Sequence, residues 1–268
     1  MKRIFVSTLI ISLLAFTIKA HDLFLKLDSY ILAPNQKVTV SLMNGTFLES
    51  EGLVRRDRMQ DVTLISPTGV THPTAESFRD DGKTTQLDLQ TGESGTYVVA
   101  ISTKTREIEL KAADFNDYLQ HDGIPDTLAQ RKKDKELEKD VKERYSKHVR
   151  AIFQVGNTFT EDYKKPLGYP VEIIPQQNPY KLKTGQTLEV LCTLDGKPLV
   201  NQYVLAASES DGKVSPEVSY RTDKRGIAKV QLNSKGRWYV KFINMTPLKN
   251  AGDINYESKW ATLTFEIK

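Results

Sequence analysis

Cysteine is almost missing from this chain: Cys192 is the single one in 268 residues. A lone thiol closes no internal disulfide, so the fold must hold without a covalent cross-link. Cys192 sits in LEVLCTL, alternating with Leu188, Val190 and Leu194, and this setting predicts a buried packing residue rather than a reactive one. Long apolar runs are missing as well. Past the first twenty residues nothing approaches the roughly 18 apolar residues of a spanning helix, so no membrane span is expected in the mature chain. There is no G-x-S-x-G, no Walker-type glycine loop, no H-E-x-x-H and no C-x-x-C. Those gaps remove the usual hydrolytic, nucleotide and thiol-redox chemistries and favour a protein that is not an enzyme. Ser94, in GESGT, lies in a hairpin loop and not on a strand-to-helix elbow.

A surplus of one charge is lacking too, although the full count suggests otherwise. The chain holds 38 Lys and Arg against 34 Asp and Glu, a formal +4. Residues 1–20, MKRIFVSTLIISLLAFTIKA, read as a signal peptide, with Lys2 and Arg3 before the apolar run from Ile4 to Phe16 and a cleavage site after Ala20. Losing Lys2, Arg3 and Lys19 leaves 35 basic against 34 acidic residues, so the net charge falls to +1. A nucleic-acid partner therefore gains no support from the basic pI. The expected location is the periplasm or the exterior, with His21 as the first mature residue.

What is present is period-two alternation between turn signals. HDLFLKL places Leu23, Leu25 and Leu27 on one face with His21 in the same parity, and KVTVSL does so for Val38, Val40 and Leu42. LEVLCTL, GRWYVKFINM and KWATLTFEIK continue the pattern to the C-terminus. Between residues 112 and 153 the period changes. AADFNDYLQHDG predicts a short helix with Phe115, Tyr118 and Leu119 inward, stopped by Gly123 and Pro125. KDKELEKDVKERYSKHVRAIFQVG predicts a longer helix whose apolar stripe of Leu137, Val141, Tyr145 and Ile152 includes His148. The expected fold is mainly β: a β-sandwich domain over 21–165 with a helical insertion at about 112–153, and a second β-sandwich domain over 166–268.

A histidine at a new N-terminus has particular chemistry. The α-amine has an ordinary pKa of about 7.7–8.0 and is available near neutral pH. With ring Nδ1 it closes a six-membered chelate, a donor pair suited to Ni, Co, Cu or Zn. His21 is thus a candidate ligand for a transition-metal ion, and His148 is the candidate second ligand. His121, in LQHDG, reads as a cation at a helix C-terminus, and His72, in VTHPT, as a loop residue. Asp22, Glu49 and Glu51 are carboxylates near the first strand, with no spacing that selects among them.

In their order, AHDLFLKLDSYILAPNQKVTVSLMNGTF, FNDYLQHDGIPD, ERYSKHVRAIFQVG, LGYPVEIIPQQNPYKLKTGQTLEV, RTDKRGIAKVQL, GRWYVKFINM and NYESKWATLTF resemble a bacterial periplasmic family of unknown function often labelled as associated with nickel or cobalt uptake. The resemblance covers essentially the whole mature chain. It implies immunoglobulin-like or transthyretin-like β-sandwiches, and a metal-binding or metal-delivery accessory role beside a membrane metal transporter. The chain departs from the pattern at Asn244, where metal-linked relatives tend to carry histidine. Two other readings stay open: a metal-free binding or scaffold module of the cell envelope, with Tyr169, Tyr180 and Tyr256 as contacts, and a copper-dependent oxidative enzyme built on the same chelate.

Overall fold

The computed structural model describes residues 21–268. The proposed leader, residues 1–20, lies outside them. The molecule is mainly β, as the alternation predicts. The first strand, Asp22–Leu27, pairs antiparallel with Lys37–Gly45, and that strand with Thr84–Gln90, in a four-stranded sheet. A second four-stranded sheet is built around Thr187–Leu194.

The largest sheet has eleven strands and runs through both halves of the chain. At its centre the long strand Val141–Val155 pairs parallel with the last strand, Tyr256–Ile267, and antiparallel with Gly95–Thr103. The last strand in turn pairs with Gly236–Pro247. One core packs Val98 and Ile152 with Val190, Cys192, Val240, Leu263 and Phe265, and a second gathers Leu23, Leu25, Leu27, Val40 and Leu42. Cys192 is fully buried, in line with its packing role.

Two expectations for the insertion part company here. Helix α1 spans Ala112–His121 and buries Phe115, Tyr118 and Leu119, as predicted. Ten residues form only a marginal helix alone. Burying Phe115 and Leu119, at about 2 kcal/mol each, holds α1 against Tyr256 and Trp260. Gly123, at φ +77°, ends it, and Ile124 N–H bonds back to the Leu119 carbonyl at 3.1 Å.

The longer helix does not form. Helix α2 covers Pro125–Lys133, and residues 141–155 are a strand. Val141, Tyr145, Val149, Ile152, Phe153 and Val155 favour a pleated backbone. Both faces of that strand are covered, so its buried polar residues obscured the period of two. Arg131, almost fully buried, ties α2 down by donating to Asn116 Oδ1 at 3.0 Å and to the carbonyls of Glu136 and Lys139 at 2.7 and 2.9 Å. That clamp fixes the face of α1 that carries Asp117, Tyr118 and His121.

Candidate functional site

A cleft of about 670 Å³ opens where the first strand, the end of α1 and the Gly236–Pro247 strand meet. Each element delivers part of its wall for a local reason. Alternation along the first strand sends Leu23 and Leu25 into the core and Phe24 the other way, where it meets Phe47 and Tyr239 at ring separations of 5.0–5.2 Å. The turn at Gly123 leaves Asp122 and His121 at the rim. The cleft therefore has an aromatic floor and a polar rim.

The rim is rich in acids. Asp22, Glu51, Asp117, Asp122 and Glu217 line it, against one lysine, Lys241, and the histidines His21 and His121. Lys241 is buried and bridges Asp22 Oδ2 at 2.6 Å and Glu217 Oε1 at 3.1 Å. Burial works against its ammonium, but those two carboxylates outweigh that and hold its pKa above the usual lysine value. The balance still leaves negative charge over. Burial, with Asp22 close by, pushes the Asp122 carboxyl up to about 7 even though Lys241 and Lys147 pull it down. Asp22 is 8% exposed, and its Oδ1 is shielded from solvent with no hydrogen-bond partner among the described residues. A buried carboxylate oxygen without a donor is costly, and a cationic or donor group entering the cleft would relieve it.

His21 lies at the inner edge of the cleft, its side chain about one third exposed. Its Nε2 meets Glu51 Oε2 at 2.7 Å. A carboxylate there stabilises the tautomer with hydrogen on Nε2 and leaves the Nδ1 lone pair free. His121 repeats the arrangement, with Nε2 3.2 Å from Asp117 Oδ1. The structure thus brings His21, Asp22, Glu51 and His121 to one cleft, of which the sequence singles out only His21 as a ligand, from its place after Ala20.

His148 does not join them. The strand carrying it turns Lys147 toward His21, and Lys147 Nζ donates to the His21 carbonyl. His148 faces the opposite side, with Nδ1 2.9 Å from Ser102 Oγ and Nε2 3.0 Å from Ser146 Oγ. Burial lowers its pKa to about 4, so it is a neutral, satisfied core residue. As a candidate ligand His148 stands in for the histidine missing at Asn244, and its place on an apolar stripe points instead to the core position it takes. Asn244 also lies away from the cleft, its amide donating to Gln202 Oε1 at 3.2 Å. Tyr169 and Tyr256 are buried, and Tyr180 is half-buried with its hydroxyl on the Ile152 carbonyl, so these three offer no exposed contact surface. Residues missed from sequence were Lys241, Asp122 and Glu217, which only long-range sheet pairing and the α1 clamp bring beside residue 22.

Among the described residues no group of three His, Cys, Asp or Glu side chains is arranged to hold a metal ion, and no helix is long and apolar enough to cross a membrane. No curated protein matches the chain. Among solved structures, a tetra-tandem repeat from the extending region of a large adhesion protein is 12% identical over 93% of this chain and 50% of its own, with a TM-score of 0.25. The D0–D1 domain of intimin is 11% identical over 89% and 95%, with a TM-score of 0.20. An Escherichia coli alpha-2-macroglobulin activated by porcine elastase is 8% identical over 92% and 20%, with a TM-score of 0.24. This chain thus spans half of the adhesion-protein repeat and a fifth of the macroglobulin. A family model described as a domain of unknown function (DUF4198) matches residues 18–246, and its description says nothing of nickel or cobalt. The chain belongs to that family.

Proposed function

We propose that this protein is an exported, non-catalytic binding module whose cleft beside His21 takes a small organic cation. The observation that carries this reading is the buried Asp22 Oδ1, which lacks a donor inside a rim where five carboxylates face one lysine. The floor of Phe24, Phe47 and Tyr239 suits the apolar body of such a ligand and attracts its charge through the ring faces. A volume of about 670 Å³ fits a ligand far larger than a bare ion. The test is calorimetric titration of the processed protein with putrescine and benzyltrimethylammonium. Saturable binding that Asp122→Asn weakens is expected. Failure of both cations to bind overturns the proposal.

A second reading is supported by the ring geometry of His21. With Nε2 engaged by Glu51, the free Nδ1 is the nitrogen that closes a chelate with the α-amine, once cleavage after Ala20 exposes it. Two donors would then come from one residue, with His121 in the same cleft as a candidate third. On this reading the ligand is a transition ion such as Ni, Co, Cu or Zn, and the protein serves a metal-uptake system. Titration of protein exported and processed to His21 with each chloride salt decides it. An N-terminally extended form should then bind none of them, whereas the organic-cation reading predicts that His21→Ala leaves amine binding largely intact.

A further inference from the structure

Behind Tyr118 the cleft is backed by a smaller chamber of about 170 Å³; His21 and Tyr118 line both. The charge of the inner chamber is of the opposite sign. Lys147 and Arg58 face into it, with Ile108, Leu110, Tyr145 and Trp260 forming the apolar and aromatic part of the wall.

Both cations are short of partners. Lys147 is 8% exposed and gives one hydrogen bond, to the His21 carbonyl, out of the three an ammonium can make. Its Nζ stands 5.1 Å from the Trp260 ring centre and 5.9 Å from that of Tyr145. Arg58 Nη1 reaches the Tyr145 hydroxyl at a long 3.5 Å, while Nε and Nη2 are shielded from solvent and bond to nothing among the described residues. Glu143 is the one acid among the described residues of the wall, and its Oε1 already accepts from the Ser258 and Tyr118 hydroxyls. Burial pushes its carboxyl up to about 7, so it neutralises the lysine only in part at neutral pH. Burial lowers the Lys147 pKa to about 8, although Asp22, Asp122 and Glu143 nearby favour its charge. Lys147 and the half-buried Arg58 thus converge on a small, partly aromatic space with donor atoms that no acceptor contacts among the described residues.

We propose that the inner chamber binds a small organic carboxylate, with the carboxylate on Lys147 and Arg58 and the apolar end against Ile108, Leu110 and Trp260. A planar anion gives the guanidinium and the ammonium the charge-assisted hydrogen bonds that the protein itself does not supply. The aromatic wall favours a short chain or single ring over a fully hydrated inorganic anion. A volume of about 170 Å³ suits a ligand of that size. This proposal does not rest on the cation reading of the outer cleft, since the two sites carry opposite charge and take different probes.

The experiment titrates the full mature chain with sodium benzoate and sodium butyrate, read by calorimetry and by the fluorescence of Trp260. Benzyl alcohol and inorganic phosphate serve as controls. Saturable binding of a carboxylate is expected, weakened about tenfold by Lys147→Met and by Arg58→Met, the loss of one charged contact. Trp238→Phe should leave the fluorescence response in place, because Trp238 belongs to another core. Arg58 is only half-buried, so R58M carries the test if K147M fails to fold. Absence of saturable binding at millimolar carboxylate overturns the proposal. So does benzyl alcohol binding as tightly as benzoate, or phosphate binding more tightly than either carboxylate.

Discussion

Lys147 and His148 are neighbours on one strand and meet opposite fates. On the His148 side the most deeply buried polar groups are answered: both His148 ring nitrogens have hydroxyl partners, and Arg150 bonds Glu172 Oε2 at 2.8 Å and the Lys165 carbonyl at 3.0 Å. Arg144 Nε, further along the same face, is the one atom left over among its described residues. On the Lys147 side Arg58 and Asp22 keep buried atoms without partners among the described residues. Burial alone does not mark a site, because both faces are buried. Unanswered polarity beside an open volume does. One side reads as structure and the other as a place for a ligand.

Attacking the satisfied face should have the largest effect on stability. Arg150→Met leaves Glu172 buried without its charge partner, and a loss of about 3 kcal/mol is expected from urea unfolding. His148→Leu strands the Ser102 and Ser146 hydroxyls and should cost about 2 kcal/mol, with no change in cation binding by the cleft. It should also change the response to acid. The unfolded histidine takes up a proton near 6.5, whereas the folded one waits until about 4, so the wild type loses stability through that window as pH falls, by on the order of 3 kcal/mol. The variant lacks this contribution.

Glu143 runs the other way. Its folded pKa of about 7 lies above the ordinary glutamate value, so it favours the folded state in acid and loses that advantage as pH rises from about 4.5 through 7. Glu143→Gln keeps acceptors for Ser258 and Tyr118 and removes the buried charge. Thermal unfolding at pH 8 should show a gain of about 2 kcal/mol, reduced by whatever Lys147 loses as a neighbour. A loss of stability at pH 8 would mean that the face is balanced by charge and holds no vacancy for an anion. Smallest of all, Asn244→His should leave metal affinity unchanged in titration, because that side chain lies outside the cleft.

Much of the fold was legible because alternation is a local signal. The strands around Leu23, Val40, Val190 and Leu263, the burial of Cys192 and the three inward residues of α1 all followed from near neighbours in sequence. The strand at 141–155 did not, since Lys147, His148, Arg150 and Gln154 are polar yet buried, and spacing of charged residues before it imitates a helical face. The site was legible only at His21. Lys241 meets Asp22 across 219 positions, a contact set by sheet pairing that no local pattern encodes.

The most direct measurement is a titration of protein exported and processed to His21 with putrescine, benzyltrimethylammonium and nickel chloride, repeated on Asp122→Asn. The organic-cation site predicts saturable one-to-one uptake of putrescine or benzyltrimethylammonium, with the variant weaker by about tenfold. Uptake of nickel alone, no uptake of either organic cation, or uptake that Asp122→Asn leaves untouched would contradict it.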